Sequence, residues 1–243
     1  MGPSRWWSRW TGWRAPSRAF RPSALRRIRA HDRQGAARSV EPRSDGRSRP
    51  VQIVKYPHPT LRHRSKPLRR VDGELKRMVR QMFELMYEHQ GIGLAANQVD
   101  LPYRLFIINL TADSAAADEE HVFINPVIVR RQGVVEAREG CLSFPEIYVP
   151  VRRPERILLN AFTLDGREVS YRLEGLFARA AQHEADHLDG VLLIDRLSPT
   201  ALMAIREDLQ ALESQFRRER DRGFIPEDRQ IAARLAELEG ART

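Results

Sequence analysis

The stretch QHEADH, residues 182–187, constrains the fold more than any other part of the chain, because it separates two histidines by four positions. On an α-helix, residues i and i+4 lie on one face, so His183 and His187 can both reach a single point. Glu184 lies about 100° round the helix from His183, beside that point. Two imidazoles with an adjacent carboxylate are typical of a metal-activated water. We therefore expect a metal-binding helix at the centre of the fold.

Apolar residues at helical spacing predict three helices. The helix of the histidine motif is expected at about residues 176–188, with a break at the following glycine. Asp72 can cap a second helix that ends at Gly91. Ser198 and Pro199 suit the start of a last helix. The apolar stripe of that last helix is Leu202, Ile205, Leu209, Leu212 and Phe216.

Segments rich in β-branched and aromatic residues predict strands at RLFIINL, VFINPVIVRR, VVEAREG, RILLNAFTL and EVSYRL. The stretch VQIVKYPHPTLR predicts a short strand closed by two prolines. The pair Asp165 and Gly166 favours a tight hairpin turn. Antiparallel strands followed by helices indicate an α+β fold, with the sheets packed around the metal-binding helix and a C-terminal helix.

The positive charge of the chain is confined to its N-terminal segment. The whole sequence carries a formal net charge of +9, but residues 1–50 contain thirteen arginines and three acidic residues, which is +10. The remaining 193 residues therefore carry −1. All four tryptophans also lie in residues 1–50, without an apolar period that could bury them. We predict a basic, disordered extension at 1–50, a catalytic domain at 51–222 and a charged tail at 223–243.

The N-terminal extension has three interpretations. Its arginine and serine content is typical of an organellar transit peptide. It is equally compatible with a basic arm that contacts ribosomal RNA. It could also be dispensable, with the functional chain starting near Val51. We expect no membrane association, because no apolar run approaches the length that spans a bilayer.

A catalytic metal site with two histidines needs a third ligand, and the sequence offers two candidates. A carboxylate about twenty residues past the motif would follow the zinc metalloprotease pattern, and Glu207 lies in that window. The alternative is Cys141, the only cysteine, whose thiolate would complete a tetrahedral sulphur and nitrogen site. A single cysteine also excludes an intrachain disulfide and favours a reducing compartment.

Three motifs resemble those of a known family. The stretches GIGLAANQ (91–98), EGCLS (139–143) and QHEADH (182–187) are similar to the signature motifs of the peptide deformylases, in the same order and with comparable spacing. The similarity covers roughly residues 51–216. It implies an enzyme that removes the formyl group from N-formylmethionyl nascent chains and releases formate. It also implies Fe2+ as the natural metal, with Zn2+, Ni2+ or Co2+ as possible substitutes.

The resemblance implies roles for individual residues. Glu184 would be the general base and acid, which agrees with its position beside the two histidines. The side-chain amide of Gln98 and the backbone N–H of Leu142 would stabilise the oxyanion. The implied metal ligands are Cys141, His183 and His187.

The methionine side chain of such a substrate needs an apolar pocket. The candidate lining residues, by the family's pattern, are Ile92, Leu176, Phe177 and Ala180. Gly93 lacks a Cβ and would let the substrate backbone approach closely. Arg179, within the same helical segment, is interpreted as a structural ion-pair partner.

Two other functions compete with the deformylase interpretation. One is a zinc metalloprotease that uses His183, His187 and Glu207. The other is an RNA-binding protein in which the basic arm is functional and the metal is structural. For the deformylase we expect formylated nascent peptides as substrates, a ribosome contact through the basic arm, a monomer and a cytoplasmic location, or an organellar one if residues 1–50 are a transit peptide.

Overall fold

The computed structural model of the chain describes residues 52–243, so the extension predicted at 1–50 lies outside the described residues. The α-helices are α1 (Gly73–Glu88), α2 (Gly175–Leu188), α3 (Pro199–Ala204), α4 (Arg206–Asp221) and α5 (Asp228–Arg242). The strands are β1 (Gly93–Ala95), β2 (Leu105–Ile108), β3 (His121–Gln132), β4 (Val135–Cys141), β5 (Phe144–Arg153), β6 (Arg156–Phe162) and β7 (Glu168–Glu174).

The strands form two antiparallel sheets. Five of them pair in the order β1-β2-β3-β6-β7, and β4 pairs with β5 in a separate two-stranded sheet. Every strand pair is antiparallel, and the helices pack beside the sheets, which confirms the predicted α+β class. Among residues 52–243, none of the helices combines the length and apolar character that crossing a bilayer requires.

Helix α1 begins where predicted and ends slightly earlier. The carboxylate of Asp72 caps it by accepting a hydrogen bond from the Leu75 N–H at 2.9 Å. At the other end the left-handed residue is Gln90, with φ 55°, and not Gly91. Gly91 meets a different constraint, because a Cβ there would lie 2.7 Å from Leu142 Cδ1. The buried face of the helix consists of Leu75, Val79, Met82, Phe83 and Met86.

Helix α2, which carries the histidine motif, confirms the predicted span to within one residue. It contacts β1, β2, β6 and β7 of the larger sheet. Ten of its fourteen residues are buried, including both histidines and Glu184. Its small residues Ala178, Ala181 and Ala185 let the helix approach the sheet closely.

The first segment of the described chain is not the strand that the sequence predicts. Its backbone makes isolated hydrogen bonds that do not form a strand ladder. The Val54 N–H donates to Gln98 O at 2.8 Å, and the Tyr56 N–H donates to Ser143 O at 3.0 Å. Prolines cannot donate to a strand ladder, so the segment turns into a short 3-10 helix at Pro59–Arg62.

Two strands were missed by the sequence patterns. Strand β1 is the short run Gly-Leu-Ala, whose small residues have low strand propensity. Strand β5 contains Pro145 and Pro150, which weaken any pattern-based prediction of a strand. Its inward-facing positions nevertheless alternate with exposed ones, as a half-buried strand requires.

The predicted last helix is two helices. The N–H of Ile205 bonds to Leu202 O, three residues back, and this tight turn separates α3 from α4. Ile205 and Leu209 are buried as predicted, whereas Leu202 is 40% exposed and does not join the core.

Residues 223–243, expected to be a charged tail, instead contain helix α5. Ile231 and Leu235 on this helix are buried. Glu239 accepts hydrogen bonds from the side chains of His63 and Lys66, both at 2.7 Å. The guanidinium of Arg242 donates to Asp72 at 2.7 Å. Charged residues therefore occupy part of the buried face, and the apolar period is too short to reveal the helix in the sequence.

Candidate metal centre

The structure brings the two motif histidines together with the single cysteine. His183 and His187 lie one turn apart on α2, with ring centroids 5.0 Å apart. Cys141 ends strand β4, and its Sγ lies 3.2 Å from His187 Nε2. One candidate ligand atom from each of the three residues lies within 4.8 Å of the others. Cys141 is therefore the candidate third ligand that the structure brings beside the two histidines.

Glu207, the alternative third ligand, is not part of this group. It lies on the exposed face of α4. Within residues 52–243, the cysteine and two histidines form the only cluster of three or more potential ligands with this spacing. The metalloprotease interpretation needs Glu207 as the third metal ligand. Because Glu207 lies outside the cluster, the structure does not support that ligand set.

A buried carboxylate orients the first histidine. Glu139 Oε2 accepts from Nδ1 of His183 at 3.1 Å, which leaves Nε2 of that ring for a metal ion. Burial alone would raise the pKa of Glu139, but hydrogen bonds from His183 and Arg153 outweigh it and lower the pKa to about 2. Glu139 is therefore ionised, and Nδ1 of His183 carries the proton.

Two buried arginines neutralise that carboxylate. Arg153 donates through Nε to Glu139 Oε1 at 2.6 Å and through Nη2 to Oε2 at 2.9 Å. Its remaining Nη1 donates to Asp186 at 2.7 Å. Arg179 donates to Glu139 Oε1 at 2.5 Å, which confirms the predicted ion pair. Sequence patterns did not reveal Glu139, Arg153 and Asp186 as one network, because they come from three different elements.

The second histidine is held through its backbone. The carbonyl oxygen of His187 accepts a hydrogen bond from the side-chain amide of Asn97. Burial lowers the pKa of His187 well below its ordinary value, so its imidazole is neutral and can donate a lone pair. Its Nδ1 is buried and makes no hydrogen bond within the described part of the chain.

Glu184 is buried against β1. Burial raises the pKa of its carboxyl to about 7, and Oε2 makes no hydrogen bond to any described residue. A Cβ on Gly93 would lie 2.5 Å from Glu184 Oε1 and 3.0 Å from its Cδ. The space that a Cβ would occupy at Gly93 is thus taken by the Glu184 side chain, a constraint separate from the substrate contact expected from the sequence.

Gln98 lies beside the thiol of Cys141, in the 3-10 helix Ala96–Val99. Its Oε1 accepts from the Ala95 N–H at 2.8 Å, which fixes the orientation of the amide. Nε2 then donates to Ser143 Oγ at 3.2 Å and lies 3.5 Å from Cys141 Sγ. Leu142 follows Cys141 directly in the turn between β4 and β5.

Three of the four predicted pocket residues share one apolar cluster. Ala180 is a buried member of this cluster and Ile92 and Phe177 pack against it, whereas Leu176 is 54% exposed and lies outside it. The ring of Phe177 also contacts two aromatic side chains that the sequence interpretation missed, because both lie on β3, more than fifty positions before α2 in the chain. They are His121 and Phe123, with ring centroids 5.0 and 6.2 Å from that of Phe177.

A separate cavity lies away from these three residues. It has a volume of about 690 Å³ and is lined by residues 52–56, by 99–101 and by side chains of α4 and α5. It contains none of the three candidate ligands. The candidate metal site is therefore identified by its three potential ligand atoms and not by the volume of a cavity.

The three side chains fit a catalytic transition-metal site. One sulphur and two imidazole nitrogens suit iron, zinc or nickel, and three protein ligands leave one position open. The sequence model of the polypeptide deformylase family matches residues 50–202. The chain belongs to the peptide deformylase family. Membership makes it a hydrolase that removes the N-formyl group from nascent polypeptides in a metal-dependent reaction.

Individual peptide deformylases align over most of the described chain. The protein of Rhodopirellula baltica is 43% identical over 194 residues, which cover 80% of this chain and 96% of the relative. Peptide deformylase 1B of Arabidopsis thaliana, named chloroplastic/mitochondrial, is 40% identical over 186 residues, covering 76% of this chain and 67% of the relative. A crystal structure of the Plasmodium falciparum peptide deformylase superposes with a TM-score of 0.67 at 39% identity, covering 68% of this chain and 97% of that one.

Proposed function

We propose that Cys141, His183 and His187 hold one Fe2+ ion, with which this chain hydrolyses the formyl group of N-formylmethionine on nascent polypeptides. The proximity of the three ligand atoms, within 4.8 Å of one another, carries this proposal. Helix α2 is then the central metal-binding helix of the fold. Zn2+, Ni2+ or Co2+ could occupy the same sulphur and nitrogen donors.

When bound, the metal supplies a Lewis acid that lowers the pKa of water towards about 7 and polarises the formyl oxygen. The protein contributes the proton transfers. Glu184 has a pKa of about 7, so both of its protonation states are populated near neutral pH. Its carboxylate takes the proton of the attacking water, and the carboxylic acid then delivers it to the departing amine.

The oxyanion that forms at the formyl carbon needs donors already in place. Gln98 Nε2 is a suitable donor, because the hydrogen bond between Ala95 N–H and Gln98 Oε1 prevents the amide from flipping. We assign the backbone N–H of Leu142 as the second donor, since this residue directly follows the thiolate ligand.

The pocket for the methionine side chain is assigned to Ile92, Phe177 and Ala180, which belong to or pack against the same apolar cluster. The exposed Leu176 would contact the substrate only at the rim of this pocket. Gly93 leaves no room between its backbone and Glu184. A tight wall at this point admits a formyl group and disfavours a larger acetyl group.

The catalytic domain is proposed to extend from residue 51 through α5, because α5 packs onto the segment that precedes α1. We propose a monomer that works in the cytoplasm and contacts the ribosome through the basic residues 1–50. The plant relative named chloroplastic/mitochondrial supports the alternative in which these residues direct the enzyme to an organelle. Expression of residues 1–50 fused to a fluorescent protein in plant cells separates the two locations.

Anaerobic purification followed by metal analysis and a formate assay tests the proposed function. We expect about one iron per chain and formate release from a formyl-Met peptide, with no release of acetate from the matched acetyl-Met peptide. Loaded protein that releases no formate would overturn the proposal. Activity with zinc alone, and none with iron, would overturn the metal assignment.

A further inference from the structure

Arg179 lies one helical turn before His183, and its guanidinium joins three elements of the fold. Nη1 donates to Glu139 Oε1 at 2.5 Å and to Val151 O at 3.0 Å, while Nη2 donates to Val135 O at 2.9 Å. Only 9% of the side chain is exposed. A single residue of the helix that carries both histidines is therefore bonded to both strands of the β4–β5 hairpin.

This connection matters because the ligands come from two separate parts of the structure. The histidines lie on α2, which packs against the five-stranded sheet. Cys141 ends β4, which belongs to the separate two-stranded sheet. The distance between the thiol and the imidazoles therefore depends on contacts that cross from the hairpin to α2.

Two buried arginines, Arg153 and Arg179, make contacts of this kind. Arg153 extends from β5 to Asp186 on α2 at 2.7 Å. Arg179 extends from α2 in the opposite direction, to β4 and β5. Both meet on Glu139, whose other oxygen accepts from the ring of His183.

The bonding pattern of Arg179 requires a guanidinium. Its planar, forked donors reach one carboxylate oxygen and two backbone carbonyls simultaneously. A lysine at this position would keep the charge, but its ammonium is a single point that cannot span three acceptors. Charge alone therefore does not account for the arrangement.

We propose that Arg179 is a positioning residue that acts through Glu139 and the hairpin to hold Cys141 and His183 at the separation at which both bind one metal ion. The inference rests on the proposed metal-binding function of this site. It assigns to Arg179 a role in metal affinity that differs from general stabilisation of the fold.

Co2+ binding to the full-length, metal-free protein tests this role, because the thiolate–cobalt absorption band reports on Cys141 directly. We expect Arg179→Lys and Arg179→Met to weaken Co2+ affinity by about 10- to 100-fold and to reduce the thiolate band. Arg104→Met is the matched control, since Arg104 pairs with Asp189 at 2.7 Å at the end of the same helix without contacting Glu139. The control should bind Co2+ like the unchanged protein.

A double-mutant cycle identifies the route of the effect. If Arg179 acts through Glu139, Arg179→Lys should change Co2+ affinity less in a Glu139→Gln background than in the unchanged protein. Equal affinity and an equal thiolate band in the unchanged protein and Arg179→Lys would overturn the proposal. A lower melting temperature of metal-free Arg179→Lys without any change in Co2+ affinity would also overturn it. Formate release by the unchanged, iron-loaded enzyme tests the proposed function separately, so failure of one can be told from failure of the other.

Discussion

Replacing Gly93 by alanine should damage catalysis without removing the metal. An alanine Cβ would lie 2.5 Å from Glu184 Oε1, 3.0 Å from Cδ and 3.1 Å from Cγ. Leu94 is fully buried, Ile92 is partly buried, and Gly93 itself pairs with Ile108 of β2, so the backbone has little freedom to retreat. The Glu184 side chain must therefore move to relieve the contact.

The size of the effect follows from the overlap. Ordinary contacts with a Cβ begin near 3.4 Å, so the carboxylate has to move by about 1 Å. A displacement of about 1 Å in a catalytic group costs on the order of 100-fold in rate. The overpacking should also reduce the free energy of unfolding by about 1–3 kcal/mol. Metal content should not change, because Glu184 is not one of the three clustered ligands.

The assay combines kcat for a formyl-Met peptide, iron content and thermal unfolding of the same preparations. Gly240→Ala is the matched control, since a Cβ at this position in α5 would meet no atom within 4 Å. This control should keep full activity and be unchanged or slightly more stable.

The same substitution in a Glu184→Ala protein tests whether contact with Glu184 causes the loss of stability. In a Glu184→Ala protein the clashing carboxylate is absent, so adding Gly93→Ala should cost little further stability. An active Gly93→Ala enzyme with an unchanged melting temperature would refute the reasoning. The same stability loss in both backgrounds would show that Gly93 is constrained by something other than Glu184.

Four other predictions follow from the site. Glu184→Ala should keep stoichiometric metal and lose turnover, whereas metal loss would show that Glu184 is a ligand. Cys141→Ser should severely weaken metal binding, while Glu207→Ala should leave metal content unchanged; the reverse result would restore the protease ligand set. Gln98→Leu should reduce kcat by about 100-fold or more with the metal retained, and an unchanged kcat would remove it from the mechanism. Deleting residues 1–49 should leave activity on a short formyl-Met peptide unchanged, because every residue assigned to the site lies beyond them; a large loss would move the domain boundary.

The parts of the fold that could be predicted from the sequence are those specified locally. Asp72 marks the start of α1 because a cap acts within one turn, and the apolar period fixes α2 to within a residue. The His183 and His187 pair follows from the same period. The position of Cys141 beside this pair does not, because Cys141 lies on another element and only the folded chain brings it to α2.

The rest of the structure depends on contacts that no local pattern specifies. The packing of Gly93 against Glu184, ninety-one positions along the chain, is one such contact. Helix α5 was expected to be a tail, because two of its buried positions are the charged residues Glu239 and Arg242. Their partners lie near the start of the domain, so Ile231 and Leu235 alone form too short an apolar period to indicate a packed helix.

Helix α5 also has a consequence for how the enzyme is made. Arg242 pairs with Asp72 across 170 positions, and the backbone N–H of Arg69 bonds to Arg242 O at 3.0 Å. Because a protein is synthesised from its N-terminus, α1 and the segment before it emerge from the ribosome long before the helix that completes them. Until then Asp72 lacks the hydrogen bond from Arg242, and the surface that covers Ile231 and Leu235 remains open to solvent. A premature stop codon within α5 would make this exposed state permanent, so truncated chains should be degraded in the cell even though every residue assigned to catalysis is present.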